Sequence, residues 1–496
     1  MRRFDFTRES GIVGRDFEAL IREFGGKGAG LLLLQEWIND SGSRMEIPPF
    51  HLIETSWYGQ LEAILQRELR DPIAWVRRNI SLKENDELKT RADALYQVWA
   101  HPEAVLKVRE FERIFSPRVE QALQLMARYA QDDSFHLRAS TTIEDFVDDR
   151  YYGTFHTDCG DRFYQGQSGR NHFLKAILHF YIQKHLYKKQ FHLPVDERLG
   201  LVFMPTVGEE GRDHHVIGYS CYPEKPELGV VLEVSQLAFM GRTPRQLLFV
   251  RENGLEDDIT VHQAQEEVVS GLYTNTYTVA GKKSALSEER VRDITETLRE
   301  LEADLGYAAN LEILARGERI LSPVQLRPVP RLDPNRKVRE LGPIPRGAKL
   351  VANTPFVMGS YHITAPLVRA GYKNNYGGHA FKRPVIMWHS DGAKGHRFYY
   401  SDRKCRAMFD PNCGLALTHD SSLVPRFGPE RERFAFMGVP GLANFFSEVM
   451  EMKMEPVGEG REGRFFYTPF DITIESDGRM GRIYIPVGGE QLALQL

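Results

Sequence analysis

Residues 287–306 read Ser-Glu-Glu-Arg-Val-Arg-Asp-Ile-Thr-Glu-Thr-Leu-Arg-Glu-Leu-Glu-Ala-Asp-Leu-Gly, followed by Asn-Leu-Glu-Ile-Leu-Ala at 310–315 and Ile-Leu-Ser-Pro-Val-Gln at 320–325. Ser287 can cap a helix, Glu288 and Glu289 suit its positive first turn, and Gly306 can end it in the left-handed conformation. Between them Val291, Ile294, Leu298, Leu301 and Leu305 form one apolar stripe at helical spacing. The two runs that follow predict short strands turned through Arg316-Gly317-Glu318. Working outward, helical periodicity recurs over 55–130 and 165–190, while glycine-punctuated alternation dominates 1–55 and 135–280. That mixture belongs to an α+β or α/β chain, and α+β is the expectation carried forward.

Composition sets the outer limits. The chain has 496 residues, 42% apolar and 27% charged, enough for real cores and for two to four domains at roughly 100–200 residues each. Apolar runs such as Leu31–Leu34 fall far short of the ~18 residues of a membrane span. No apolar segment follows Arg2 and Arg3, so a secretory signal is not expected and the cytoplasm is the default location. Lys plus Arg number 64 and Asp plus Glu 68, so neither a cationic nucleic-acid surface nor a polybasic membrane anchor is expected. Cys159, Cys221, Cys405 and Cys413 are scattered without C-x-x-C, which fits buried thiols rather than a disulfide framework or a zinc site.

The segment 328–347 holds five prolines and few consecutive apolar residues, and reads as an interdomain linker. It separates an expected domain over 1–330 from a second over 348–496, with 331–347 as the linker proper. The second part is strand-rich, and Asp471–Glu475 and Arg482–Ile485 flank Ser476-Asp477-Gly478 as a hairpin would. The lysines of 171–190 (Lys175, Lys184, Lys188, Lys189) read as a solvated helix face, with a polyanion contact as the alternative.

Three segments could carry chemistry. Phe24-Gly25-Gly26-Lys27-Gly28-Ala29-Gly30 precedes a helix; its glycines permit close backbone approach, and Lys27 adds charge where free N–H groups favour phosphate. It is neither G-x-x-x-x-G-K-[ST] nor G-x-G-x-x-G, and alone it equally suits a structural turn. His136-Leu137-Arg138-Ala139-Ser140-Thr141-Thr142-Ile143-Glu144-Asp145 offers an arginine suited to bidentate phosphate binding, or one that simply pairs with Glu144 or Asp145. Alternation places Asn310 with Glu312 on one face of the first strand, and Gln325 with Arg327 on one face of the next. A carboxylate and amide oxygens there could hold Mg²⁺, or could be a solvated polar face.

Taken in order, these pieces resemble the N-terminal nucleotide-binding domain shared by pyruvate phosphate dikinase, phosphoenolpyruvate synthase, rifampicin phosphotransferase and glucan water dikinase. The resemblance spans about residues 10–330. The family's G-G-K-G-A-x-L is matched at Gly25–Leu31, its V-P-P-G-F at Ile47–His51, and its V-R-S-S-A-x-x-E-D at Leu137–Asp145. S-F-A-G-x-x-x-T is echoed at Arg150–Thr157, G-V-x-F-T-x-x-P at Ile217–Pro223, and D-I-E-W with Q-x-R-P at Asn310–Ile313 and Gln325–Pro328. The resemblance implies a two-lobed ATP-grasp-like fold that binds ATP and Mg²⁺. It makes Lys27 and Arg138 phosphate ligands, flanked by Gly26 and Gly28, with Arg327 in support, and it puts Glu312, Gln325 and Asn310 on the metal side. Departures are specific: the family's V-V-Q-x-M-V is Leu201–Val207 without the glutamine, its G-L-G-E is at best Ser235–Gly241, and its aspartate is Asn310.

Family members also carry a swivelling phosphohistidine domain. Gly347–Ala352, Thr354-Pro355 and the terminal hairpin have its flavour, so the second domain is expected to be a degenerate form of it. Two histidines compete for the acceptor role: His419, in Leu417–Arg426, and His379, in Tyr376–Phe381. After the linker about 150 residues remain, too few for the family's pyruvate-binding barrel of ~250 residues as well. The leading expectation is therefore an ATP-dependent phosphotransferase with an unidentified acceptor. The alternatives are a degenerate nucleotide-binding regulator and one subunit of a multi-chain synthase.

Overall fold

The computed structural model describes residues 15–82, 88, 91–128, 135–142, 167–191, 197–208, 212–221, 229–236, 246–253, 256–269, 272–279, 284–317, 320–328, 341–343, 346–354, 357–358, 360–370, 385–389, 413–418, 434–437, 455–457, 465–477 and 481–486. The chain forms two compact units, one of residues 1–208 with 320–327 and the other of 209–319 with 328–496. Of the expected linker 331–347, only 341–343, 346 and 347 are described. Helices and antiparallel sheets are both present, so the chain is α+β.

In the first unit the helices are α1 (Arg15–Ser41), α2 (Thr55–Glu68), α3 (Pro72–Asn79), α4 (Arg91–Ala100), α5 (Arg109–Met126) and α6 (Gln167–Phe191). Of these α1, α2, α5 and α6 pack against a small antiparallel sheet of β1 (His51–Ile53), β2 (Phe135–Thr141) and β3 (Leu199–Pro205) in the order β1-β3-β2, while α3 packs on α4 and α4 on α6. Central β3 is buried along its whole length, whereas β2 buries Phe135, Leu137 and Ala139 and leaves His136 and Arg138 half-buried. The apolar side is aromatic: the Phe203 ring lies 4.9 Å from Phe135 and 5.1 Å from Phe173 of α6. Such pairs add about 0.5–1.5 kcal/mol each beyond the area they bury. The glycine-punctuated 15–41 is helical rather than strand, in two stretches that meet at a kink where Gly25 (φ 76°, ψ 174°) leaves the helical conformation.

A buried ion pair joins two of these helices: Lys184 of α6 lies 2.9 Å from Glu62 of α2 and also donates to the carbonyl of Glu197. Burial, then Glu62, holds the Tyr58 hydroxyl well above the ordinary tyrosine value. Next to the pair, burial holds the His185 imidazole below its ordinary value, against the opposing pull of the Tyr181 carbonyl and Glu62.

The second unit begins with β4 (His214–Tyr219), β5 (Val230–Gln236), β6 (Gln246–Asn253), β7 (Glu256–Val269), β8 (Leu272–Val279), α7 (Glu288–Leu305) and β9 (Ala309–Arg316). Their sheet order is β9-β4-β5-β6-β7-β8, each pair antiparallel. After β10 (Ile320–Pro328), most of which belongs to the first unit, the sheet continues through β11 (Ala348–Thr354), which pairs in parallel with β8. Then come β12 (Val357–Met358), β13 (Ser360–Ala370), β14 (Val385–His389), β15 (Cys413–Thr418), β16 (Phe434–Met437), β17 (Glu455–Val457), β18 (Phe465–Asp477) and β19 (Gly481–Pro486). The expected hairpin is β18–β19, with Glu475 opposite Arg482, and it joins β11 on one side and β13 on the other.

Helix α7 is the helix read from residues 287–306. The Ser287 side chain accepts from the Arg290 N–H, and Gly306 ends the helix at φ 70°, donating its N–H to Glu302. All five stripe residues are buried. Among them Leu298 packs on β4, where its Cδ1 would stand 2.6 Å from a Cβ on Gly218, so the glycine gives this leucine room against the strand. Among the described residues no helix is long and apolar enough to cross a membrane.

Two outcomes follow for the first unit. Glu62→Leu alone strands a buried ammonium and should cost about 3–5 kcal/mol in urea unfolding, most of it recovered when Lys184→Met is added. Because the folded state favours neutral His185, its stabilising contribution is complete above the ordinary pKa of about 6.5 and is lost as pH falls below it. His185→Gln should therefore flatten that part of the stability profile.

Candidate functional site

The glycine-rich segment lies at the kink of α1. The first helical stretch stops at Phe24, Gly25 takes a left-handed φ, and the helix restarts at Gly26. A break of this kind leaves carbonyls on one side and N–H groups on the other without helical partners. One hydroxyl supplies both: Ser140 Oγ donates to the Phe24 carbonyl at 2.7 Å and accepts from the Gly28 N–H at 2.9 Å. A Cβ on Gly25 would stand 2.0 Å from the Ser140 carbonyl oxygen, and one on Gly200 of β3 would stand 2.5 Å from the Phe24 carbonyl oxygen. The expected use of Gly25 and Gly28 was close approach to a ligand. In the structure both lie against β2, with Ser140 Oγ 3.5 Å from where a Gly28 Cβ would stand. Gly26 is buried, and half-buried Lys27 is in the first turn of the restarted helix.

Two residues earlier on β2, and so on the same face as Ser140, comes Arg138. Its Nη1 donates to the Val324 carbonyl at 2.7 Å and its Nη2 to Gln325 Oε1. Both acceptors are neutral groups, and together they orient the guanidinium. Gln325 is buried, and Arg327, two residues further along β10, is half-buried. The first unit thus brings together Gly25–Gly28, Arg138–Ser140 and Val324–Gln325, segments more than a hundred residues apart in the chain.

Asn310 and Glu312 belong to the second unit. They share one face of β9 with their register partners Tyr219 and Ile217 on β4, and α7 packs against β4, β5 and β9. Asn310 Nδ2 donates to the Gly218 carbonyl at 3.0 Å. Glu312 Oε1 lies 2.8 Å from Nε2 of His215, a histidine only 2% exposed, and Ser235 Oγ donates to the His215 carbonyl.

These contacts bear on the metal that the resemblance implies. Glu312 supplies a hydrogen-bonded carboxylate, which suits Mg²⁺. Gln325 suits it less well, because a cation on its oxygen would stand beside the Arg138 guanidinium. Its Oε1, an amide oxygen with two lone pairs, accepts from the Arg138 guanidinium. At about 4 Å a divalent ion and a guanidinium repel by ~8 kcal/mol at an effective dielectric of 20. Among the described residues no group of three or more His, Cys, Asp or Glu could hold a metal ion.

His379 and His419 lie outside the described residues, as do Glu144, Asp145, Arg150–Thr157 and Leu237–Gly241. Sequence reasoning did not single out His215, Val324 or the bridging role of Ser140. Only Ser140 carried a signal, its two-residue spacing from Arg138. No family model and no curated protein matches the chain.

The kink is open to a direct test. Gly25→Ala forces a side chain into the left-handed region and against the Ser140 carbonyl, and should lower the first unit's stability by about 3 kcal/mol or more in chemical denaturation.

Proposed function

We propose that the chain is an ATP-binding phosphotransferase built on an ATP-grasp-like nucleotide-binding domain. The observation that carries this reading is the meeting, on one face of β2, of the three segments that the resemblance assigns to nucleotide phosphates and their surroundings. Lys27 and Arg138 bind the phosphates, Arg327 supports them, and Gly26 and Gly28 keep the helix start close to β2. A cation in the first turn of a helix adds to the positive end of the dipole, an arrangement that favours a bound anion. Phosphoryl transfer asks mainly for positioning and charge neutralisation, which is what two guanidinium groups and an ammonium supply. Glu312 is the carboxylate offered to a divalent ion, with His215 orienting it. The acceptor is a histidine, with His419 and His379 the candidates, or a bound small molecule.

A second reading, a nucleotide binder that does not turn over, has its own support. Asn310 stands where the family has a charged oxygen ligand, and Gln325 serves Arg138. Incubation with ATP labelled at the β or γ position separates the two. The transferase reading expects acid-labile phosphoprotein or steady release of AMP or ADP, with Lys27→Ala, Arg138→Ala and Glu312→Ala each lowering the rate by about a hundredfold or more. Full activity in Lys27→Ala or Arg138→Ala removes the site assignment, and tight nucleotide binding without turnover establishes the binder.

A further inference from the structure

Beside the ion pair of Glu62 and Lys184, His185 of α6 meets Gln66 of α2. Its Nδ1 lies 2.8 Å from the Tyr181 carbonyl. A carbonyl only accepts, so Nδ1 carries the ring proton and Nε2 is left with a lone pair. Gln66 Nε2 stands 3.2 Å from that lone pair, and the amide donates to it. The Tyr181 ring stacks on the imidazole with centroids 4.2 Å apart. On the other side of the same Nε2, at 3.6 Å, is Glu62 Oε1. Lys184 Nζ donates to Glu62 Oε2 at 3.0 Å, whereas Oε1, though 2.9 Å from Nζ, is a buried oxygen with no hydrogen-bond donor. The charges and titratable groups that bear on the imidazole are thus Glu62 from α2, with Tyr58 beside it, Tyr181 and Lys184 from α6, and Arg91 from α4.

A proton added at Nε2 turns the acceptor into a donor that faces the donors of Gln66, while a carboxylate oxygen lacking a donor stands next to it. From this geometry we propose that His185 is a proton-operated switch between α2 and α6. Neutral, it accepts from Gln66; having taken a proton from solvent, it releases Gln66 and donates to Glu62 Oε1, so that one carboxylate holds Lys184 and His185 together. Closing from 3.6 Å to the roughly 2.7–2.9 Å of a charge-assisted bond takes less than about 1 Å of side-chain movement. Burial holds the imidazole below its ordinary value, so the exchange of partners falls below about pH 6.5. It goes beyond the nucleotide reading and does not depend on it.

Nitrogen NMR of the full chain with isotope-labelled histidine, titrated from about pH 8 to about pH 5, reads the proton on each ring nitrogen. The His185 signals are those lost in His185→Gln. The neutral ring should carry its proton on Nδ1; a proton on Nε2 instead overturns the proposal. Gln66 is exposed, so Gln66→Leu leaves the core untouched. It takes a hydrogen bond from the neutral form alone and should raise the His185 midpoint by about half to one pH unit. A Gln66 that turned its amide to follow the proton would give an unchanged or lowered midpoint in that variant, which overturns the switch. Glu62→Leu with Lys184→Met removes the acceptor of the charged form and should lower the midpoint by about half a unit or more. A midpoint unchanged or raised in that double variant overturns it as well.

Discussion

One hydroxyl holds the first unit's candidate site in register. The kink in α1 exposes a carbonyl at Phe24 and an N–H at Gly28, and Ser140 Oγ satisfies both. An unsatisfied buried group of either kind costs about 1–3 kcal/mol, so this contact decides whether the helix can break where it does. The glycines follow from it. Gly25 has no Cβ because the Ser140 carbonyl occupies the space, and Gly200 has none because the Phe24 carbonyl does. Strand alternation then carries the constraint to Arg138, which shares the face of Ser140. Whatever fixes the α1 kink on β2 also fixes where the guanidinium stands.

The second unit solves a related problem with a different device. Its sheet must bury one face under α7, and the missing side chain of Gly218 lets Leu298 approach the strand. Among the polar groups of β4, β5 and β9, Asn310 turns its amide to the Gly218 carbonyl, His215 meets Glu312, and Ser235 meets the His215 carbonyl. Buried polar groups persist only when partnered in this way. Glu312 is consequently a carboxylate whose orientation depends on the β4–β9 register, and a slip of one residue would carry His215 to the opposite face.

How much could be read from the sequence depended on how local the determinants were. The helix 287–306 was legible in full, because its cap, apolar stripe and terminating glycine all lie within twenty residues and act on one another directly. The hairpin at 471–485 was legible for the same reason. The pairing of Asn310 with Glu312 on one face came from strand alternation alone. Gly25 and Gly28 were legible as conformationally special but not as to why, since their partner on β2 is 112 residues from Gly28. His215 could not be found at all, because nothing short of the β4–β9 pairing brings it to Glu312. Arg138 had two readings, and the sequence alone gave no hint of its contacts with Val324 and Gln325.

The balance of charge explains why that last contact matters most. A chain with 64 basic and 68 acidic residues has no general attraction for anions, so any phosphate binding must be built locally. A guanidinium held by carboxylates would be well placed but neutralised, and one held by nothing would lose orientation to its own rotamer freedom. The Val324 carbonyl and the Gln325 amide supply that orientation to Arg138 through neutral acceptors. Replacing that amide by a carboxylate would keep the orientation of the guanidinium but set a negative charge beside any anion bound there.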